Sequence, residues 1–285
     1  MTTVLALIGS ARPWGNGEVL AREASLGAQE AGADHLSLLR LTDLRLEPCT
    51  GCLVCAIGGK PCPLDDDLPF LLDQVEDADA IIVAAPTYFL GPSAQVKRIL
   101  DRQLIWTPQK DWAEARPKPA IAMTTASLPS WRGAAAPFNN ALALGLGCRL
   151  LGAMSAYAPG PGEVLLQPDA LARARELGRR LLTGEPMTPA DGVCPVCGSD
   201  FFRIQGSQVE CPICGQTGEI SSAGGGHTIQ FHPPDPQGRW TRMGLYEHAQ
   251  DWVIQSGERF MARRFEVKAQ RARYDAQPVE WIRPQ

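Results

Sequence analysis

Cys49, Cys52, Cys55 and Cys62 put four thiols into fourteen residues, spaced C-x2-C-x2-C-x6-C, with Pro63 directly after. Thiolates two residues apart can converge on one metal centre, because the backbone wraps around it and turns each sulfur inward. Three such ligands plus a fourth a short loop away is the arrangement of compact iron–sulfur motifs. The ferredoxin run, however, has three residues before its last cysteine, where this one has six. Structural zinc sites use two separated C-x2-C pairs instead, and the chain has that pattern as well. Cys194 and Cys197 precede Gly198, Cys211 and Cys214 precede Gly215, and thirteen residues separate the two pairs. The segment between them, with Phe201 to Ile204 ahead of Gly206 and Ser207, is of hairpin length and predicts a zinc ribbon. A tetrathiolate also accepts iron, but the plain hairpin favours zinc. His227 and His232 read as loop residues, since four thiolates already complete a tetrahedron. Cys148, alone in sequence, reads as a small buried hydrophobe.

Two loops hold the other candidates. Gly9 to Gly17 leaves an apolar run and opens an amphipathic one. Free backbone N–H groups and a helix N-terminus would then point at one spot, a geometry that binds phosphate. Ser10 offers a hydroxyl, Arg12 a charged fork and Asn16 a helix cap or a direct ligand, while Gly15 and Gly17 let the backbone approach. An ordinary turn capped by Asn16 is the plainer alternative. No Gly-Lys-Ser/Thr follows, so this is not a Walker loop. The second loop, Ala85 to Ser93, presents Pro86, Thr87, Tyr88, Phe89 and Gly91. Its amides, aromatic pair and Thr87 hydroxyl suit the edge and face of a planar heteroaromatic ring; a Pro-rich turn with core aromatics would look the same.

Alternating elements must position these groups. Strands are expected at Val4–Ile8, Leu36–Leu41, Ala80–Ala85, Ala120–Thr124 and Leu150–Tyr157. Helices are expected near Glu18–Ala31, Asp66–Ala78, Ser93–Leu104, Ala134–Leu146 and Pro168–Leu182. The second helix is the clearest, with Leu68, Leu71, Leu72 and Val75 on one face behind Asp65, Asp66 and Asp67. Five strands alternating with five helices predict an α/β fold, a five-stranded parallel sheet with helices on both faces. The order 2-1-3-4-5 places ligands at the strands' carboxyl ends. The expected division is 1–184 for the α/β domain with its cysteine loop 48–63, 185–225 for the ribbon module, and 226–285 for a loop and C-terminal helix. Residues 224–238 read as loop. Tyr246, Val253, Phe260, Val267 and Tyr274, seven apart, mark a helix that docks on the α/β body or on a second subunit.

Together the two loops resemble the NAD(P)H-dependent FMN reductase family of flavodoxin-like proteins, over roughly residues 3–180. The resemblance rests on Gly9-Ser10-x-Arg12 with Gly15-Asn16, on Pro86-Thr87-Tyr88-Phe89, and on Ser93-Ala94-Gln95-x-Lys97 leading to Asp101-Arg102. Pro48-Cys49-x-Gly51-Cys52-x-x-Cys55 with Cys62 and Asp66-Asp67 is similar to the iron–sulfur flavoprotein branch. The resemblance implies FMN with its phosphate on the first loop and its ring on the second, Thr125 and Trp131 contributing from the loop after strand four. It further implies a [4Fe–4S] cluster on the first cysteine run, NAD(P)H as co-substrate, and a homodimer or homotetramer with the flavin near a subunit boundary. Two departures stand out. Gly17 replaces the usual Ser or Thr, and the loop from Thr125 to Arg132 lacks the usual glycines.

The 285 residues carry a formal charge of −4 and are 45% hydrophobic, enough for a sizeable core and against a dedicated nucleic-acid binder. Clustered C-x2-C spacings suit metal ligation in a reducing cytoplasm, and Val4–Ile8 is too short and lacks the basic flank of a targeting segment. No run is long enough for a membrane span. No triad or carboxylate pair stands out, so no side chain is assigned a catalytic acid or base. The expected function is therefore electron transfer from NAD(P)H through FMN and a cluster to a small-molecule or protein acceptor. The alternative is a redox-sensing module whose ribbon and basic tail contact a macromolecule. From residue 258 on, seven Lys/Arg face four acids.

Overall fold

A computed structural model describes residues 1–186, 188–223, 226–275, 277 and 282. Strands β1 (Thr3–Ile8), β2 (His35–Arg40), β3 (Ala80–Tyr88), β4 (Pro119–Ala126) and β5 (Arg149–Tyr157) form a parallel sheet in the order 2-1-3-4-5. Gly91 and Pro92 fold back on the end of β3 as a short antiparallel bridge. The central strands are apolar on both sides, as strands covered by helices on two faces must be: Ala80 through Pro86 are all buried.

The period of two divides β1 between two cores. Val4, Ala6 and Ile8 meet α1 (Asn16–Glu30) on one face, while Leu5 and Leu7 point at α2 (Leu68–Asp77) on the other, which α3 (Ala94–Leu100) and α4 (Ala135–Gly145) also cover. Helix α5 (Pro168–Thr183) lies against α1 at backbone contact. A Cβ on Gly27 would stand 1.9 Å from the Arg175 carbonyl oxygen, and one on Gly178 would stand 1.8 Å from that of Ala24. Cys148 is buried as expected, and burial pushes its thiol up to about 12.

A four-stranded antiparallel sheet follows, β6 (Arg203–Gln205), β7 (Gln208–Glu210), β8 (Thr217–Ala223) and β9 (Gly226–Phe231), in the order 9-8-7-6. β9 falls within the expected 224–238 loop: its Thr and Ile positions pair with β8, and Phe231 stacks near Phe202 with ring centroids 5.6 Å apart. Residues 224 and 225 of that loop, and Glu280 and Arg283 of the basic tail, lie outside the described residues.

The C-terminal segment begins with α6 (Arg242–Glu247), passes through a π-helical stretch (His248–Ile254) and ends in α7 (Gln255–Asp275). Its start docks on the body: buried Arg242 donates to the carbonyls of Gly147 at 2.9 Å and Trp112 at 2.8 Å, and stacks on the Trp112 ring. No residue of α7 is buried, and Phe260, Val267 and Tyr274 of the seven-residue row are exposed. Among the described residues, no helix is long and apolar enough to cross a membrane.

Candidate functional site

The first loop brings the N-terminus of α1 to the carboxyl ends of β1 and β3. Gly9 donates to the Ala84 carbonyl at 2.9 Å, and a Cβ on it would come within 2.6 Å of the Ala85 Cβ, so only glycine lets the strands close here. Ser10 is buried and its Oγ accepts from the Arg12 N–H at 3.2 Å. Gly15 is the N-cap, and the first intrahelical bond runs from the Val19 N–H to its carbonyl. The amides of Asn16, Gly17 and Glu18 therefore have no carbonyl partner within the helix. The Asn16 side chain is occupied: its Nδ2 donates to the carbonyls of Ala158 and Gly160, both at 2.9 Å, and its Oδ1 accepts from Val164. What Asn16 can offer an anion is its backbone N–H. Arg12 is exposed, and among the described residues its guanidinium meets no carboxylate. Buried Glu18 lies on the same turn. Burial pushes its carboxyl up, but bonds from Arg22, the Trp14 N–H and Arg40 outweigh that and hold it below the usual range.

The ends of β3 and β4 form the neighbouring wall. Pro86 and Thr125 stand side by side in the sheet register, both buried, which limits what the Thr125 side chain can reach. Beyond them the chain turns outward. Phe89 and Leu90 adopt φ of 44° and 67°, and Tyr88, Phe89, Leu90, Leu128 and Trp131 are exposed on the rim, with Phe89 at 90%. The two loops are tied together: the Thr87 hydroxyl donates to the Arg132 carbonyl at 3.3 Å, and the Ala134 N–H to the Leu90 carbonyl at 2.7 Å. Gly133, at φ +50°, has no room for a Cβ, which would stand 2.2 Å from the Leu90 oxygen.

Two polar groups lie beneath this wall, Ser93 of the second loop's motif and Asn139, which sequence reasoning missed. Ser93 is fully buried, its Oγ has no hydrogen-bond partner among the described residues, and it lies beside Gly9, between the two loops. Asn139 is fully buried and its Nδ2 joins the ends of both strands, donating to the Ala85 carbonyl at 3.1 Å and the Thr124 hydroxyl at 2.9 Å. Nothing in the spacing around Asn139 distinguishes it from an ordinary helix-face residue. Backbone amides, small residues and an open aromatic rim thus share the carboxyl edge of the sheet.

The second cysteine set converges. Cys194, Cys197, Cys211 and Cys214 are buried, with all four Sγ atoms within 4.8 Å of one another. A tetrahedral zinc with bonds of about 2.3 Å would hold them about 3.8 Å apart, so the donor set fits. The first set does not converge in this way: among the described residues, the ribbon is the one cysteine group whose ligand atoms gather. Cys49 and Cys52 are exposed and Cys55 and Cys62 half-buried. Bonds from the Val54 N–H and the Thr50 hydroxyl hold the Cys52 thiol below the ordinary range, while burial and neighbouring Cys62 push that of Cys55 up.

The loop carrying this first set is pinned at its base. Asp65, Asp66 and Asp67 stand just before α2, which starts at Leu68; Asp66 accepts from the Leu68 N–H, and the rest of their side-chain bonds reach across the loop. Asp67 accepts from the Arg45 N–H at 2.6 Å and Asp66 from the Glu47 N–H at 2.7 Å, while Asp65 pairs with the Arg45 guanidinium. Arg102, also buried, pairs with Asp66 and reaches the Cys62 sulfur at 3.5 Å.

An α/β sheet of this order, with a helix N-terminus and two loops gathered at its carboxyl edge, defines a flavodoxin-like protein. The family model for NADPH-dependent FMN reductase matches residues 2–155, and the chain belongs to that oxidoreductase family. An iron–sulfur flavoprotein of Methanocaldococcus jannaschii is 42% identical over 99 residues, 35% of this chain and 50% of that protein. A flavone synthase of Aspergillus candidus is 30% identical over 276 residues, 83% of this chain and 84% of that one. The chain thus spans about half the length of the archaeal relative and most of the fungal one. A solved structure described as a flavone reductase shares the fold over the full length of both chains, with a TM-score of 0.77 at 23% identity.

Proposed function

We propose that the protein is an FMN-dependent oxidoreductase that takes electrons from a reduced nicotinamide nucleotide and delivers them to a planar aromatic acceptor of the flavone class. One observation carries the reading: the free amides at the start of α1 and the aromatic rim of Tyr88, Phe89 and Trp131 meet at one edge of the sheet, open to solvent. Bound there, FMN supplies the capacity to accept a hydride and to pass on one or two electrons. The chain's part is to hold the phosphate with the Asn16, Gly17 and Glu18 amides, Ser10 and Arg12, and to flank the ring with Pro86 to Gly91, Thr125 and Trp131. The acceptor class is supported by the fungal relative, whose name specifies flavone synthesis and whose similarity covers 83% of this chain.

Cys194, Cys197, Cys211 and Cys214 hold a structural zinc in this reading. Cys49, Cys52, Cys55 and Cys62 are the place for a [4Fe–4S] cluster. They stand on a loop pinned at both ends whose exposed thiols would have to move to share a centre. A homodimer or homotetramer in the cytoplasm completes the proposal.

Anaerobic purification with FMN, iron and zinc counted per chain, followed by NADH or NADPH oxidation with a flavone as acceptor, tests it. About one FMN and one zinc per chain with flavone-dependent turnover is the expected result. Iron near four per chain that falls in Cys62→Ser supports the cluster, and trace iron removes it. Protein without FMN affinity overturns the whole reading.

A further inference from the structure

The ribbon is not a peripheral appendage. Its first knuckle sits on α4: the Asn140 Nδ2 donates to the Cys197 carbonyl at 2.9 Å, and Leu144 packs against the four buried cysteines. Gly198, at φ +67°, lies so close to Asn140 that a Cβ would come within 2.7 Å of its Nδ2. Two residues on, Asp200 reaches back to the rim of the ring site and pairs with the Arg132 guanidinium at 2.5 Å. Arg132 is the residue whose carbonyl accepts the Thr87 hydroxyl, and Gly133 and Ala134 beside it contact Leu90. A continuous path therefore runs from the thiolate knuckle through Asp200 and Arg132 to both loops of the wall. Behind that wall lies a cavity of about 210 Å³ lined in part by Arg132, Asn140, Val193, Cys194 and Asp200.

We propose that Asp200 is a positioning residue for the ring site: through Arg132 it fixes the loop between β4 and α4, making the metal-loaded ribbon part of the wall that holds the ring and its acceptor. The proposal rests on the reading that the ring lies against Thr87 to Leu90 and Trp131. As a plain surface ion pair, the contact would change stability slightly and leave binding untouched. The two accounts separate in a charge-swap cycle on the full-length zinc-loaded protein, with Arg132→Asp, Asp200→Arg and the double variant, alongside Asp200→Ala. FMN affinity is read by fluorescence quenching, acceptor KM and kcat by steady-state turnover, and zinc by metal count.

Zinc stays at the wild-type level in the expected result. Asp200→Ala raises the FMN Kd or the acceptor KM by about two- to fivefold, the range of a half-exposed pair, with kcat little changed. The double swap recovers most of what each single swap loses. Additive losses in the cycle, wild-type binding in every variant, or loss of zinc in Asp200→Ala overturns the tie while leaving the flavin reading standing. Failure of the wild type itself to bind FMN overturns the flavin reading, and the tie with it, before any variant is made.

Discussion

Arg102 and Asp66 form an ion pair from which water is excluded, their side chains 2% and 0% exposed. Both hold the backbone of Glu47: Asp66 accepts from the N–H groups of Glu47 and Leu68, and Arg102 donates to the Glu47 carbonyl and faces the Cys62 sulfur. The pair closes the base of the loop that carries the first cysteine set. Removing one partner strands the other in a dry site, so Arg102→Ala should cost on the order of 3 kcal/mol in denaturant unfolding.

The same pair sets an acid limit. Burial pushes the Asp66 carboxyl up, but Arg102 and the two backbone N–H groups outweigh it and hold the group below its ordinary value. A carboxylate with a depressed folded-state pKa contributes its stabilisation fully above the unfolded value, about 3.9 for Asp, and loses it as pH falls through the lower folded value. Glu18, held down by Arg22, the Trp14 N–H and Arg40, acts in the same direction from about 4.3. Stability should therefore fall steeply below about pH 4, and Arg102→Ala should move the acid-unfolding midpoint upward. An unchanged midpoint, followed by circular dichroism, would contradict the role given to the pair.

Arg12 stands exposed on the first loop, and its guanidinium meets no carboxylate among the described residues. Its charge is therefore available to a phosphate. Arg12→Ala should weaken FMN binding by about tenfold or more, the loss of one charge-assisted contact of about 1.5–3 kcal/mol, with thermal stability of the apoprotein unchanged. Equal FMN affinity in titrations of wild type and variant would move the phosphate away from this loop.

Gly27 and Gly178 let α1 and α5 touch backbone to backbone. Alanine in a helix interior is ordinarily an improvement on glycine, yet here either Cβ would land within 2 Å of a carbonyl oxygen on the other helix. The helices must separate to admit it, and overpacking of this kind costs about 1–3 kcal/mol. Gly27→Ala and Gly178→Ala should each lower the unfolding midpoint. The double variant should lose less than the sum, since the first substitution already opens the crossing that the second would open. A stabilised Gly27→Ala would refute the close approach.

Much of this architecture was legible because periodicity reports burial directly. The alternation in β1 and the Leu68, Leu71, Val75 face of α2 locate both cores, and strands alternating with helices predict the parallel sheet, while its order 2-1-3-4-5 comes from the resemblance to flavodoxin-like proteins. The convergence of Cys194, Cys197, Cys211 and Cys214 was equally plain, since paired C-x2-C spacings bring four thiols to one point. Groups whose role depends on distant contacts were not legible. Asp65, Asp66 and Asp67 look like a favourable helix start, and only the fold shows them bonded to Arg45, Glu47 and Arg102. β9 was hidden because Gly and Pro around it signal loop while its partner strand supplies the hydrogen bonds. Asp200 and Arg132, 68 residues apart in number, carry no shared pattern at all.

The nine cysteines divide by environment, and that division predicts their reactivity in metal-free protein at pH 8. The thiolate is the nucleophile, so a thiol reacts in proportion to its ionised fraction and its access to reagent. Cys49 and Cys52 are exposed, and Cys52 is also shifted toward the thiolate by the Val54 N–H and Thr50 hydroxyl. Both should alkylate fastest with iodoacetamide. Cys55 should lag, being partly buried and pushed up by that burial and by Cys62. Cys148, fully enclosed beneath the sheet and raised to about 12, should stay unmodified until the protein unfolds. Mass spectrometry of peptides taken over a time course measures each site separately. Labelling of Cys148 at the rate of Cys52 in folded protein would show that the core around Leu146 and Trp106 opens far more readily than its packing implies.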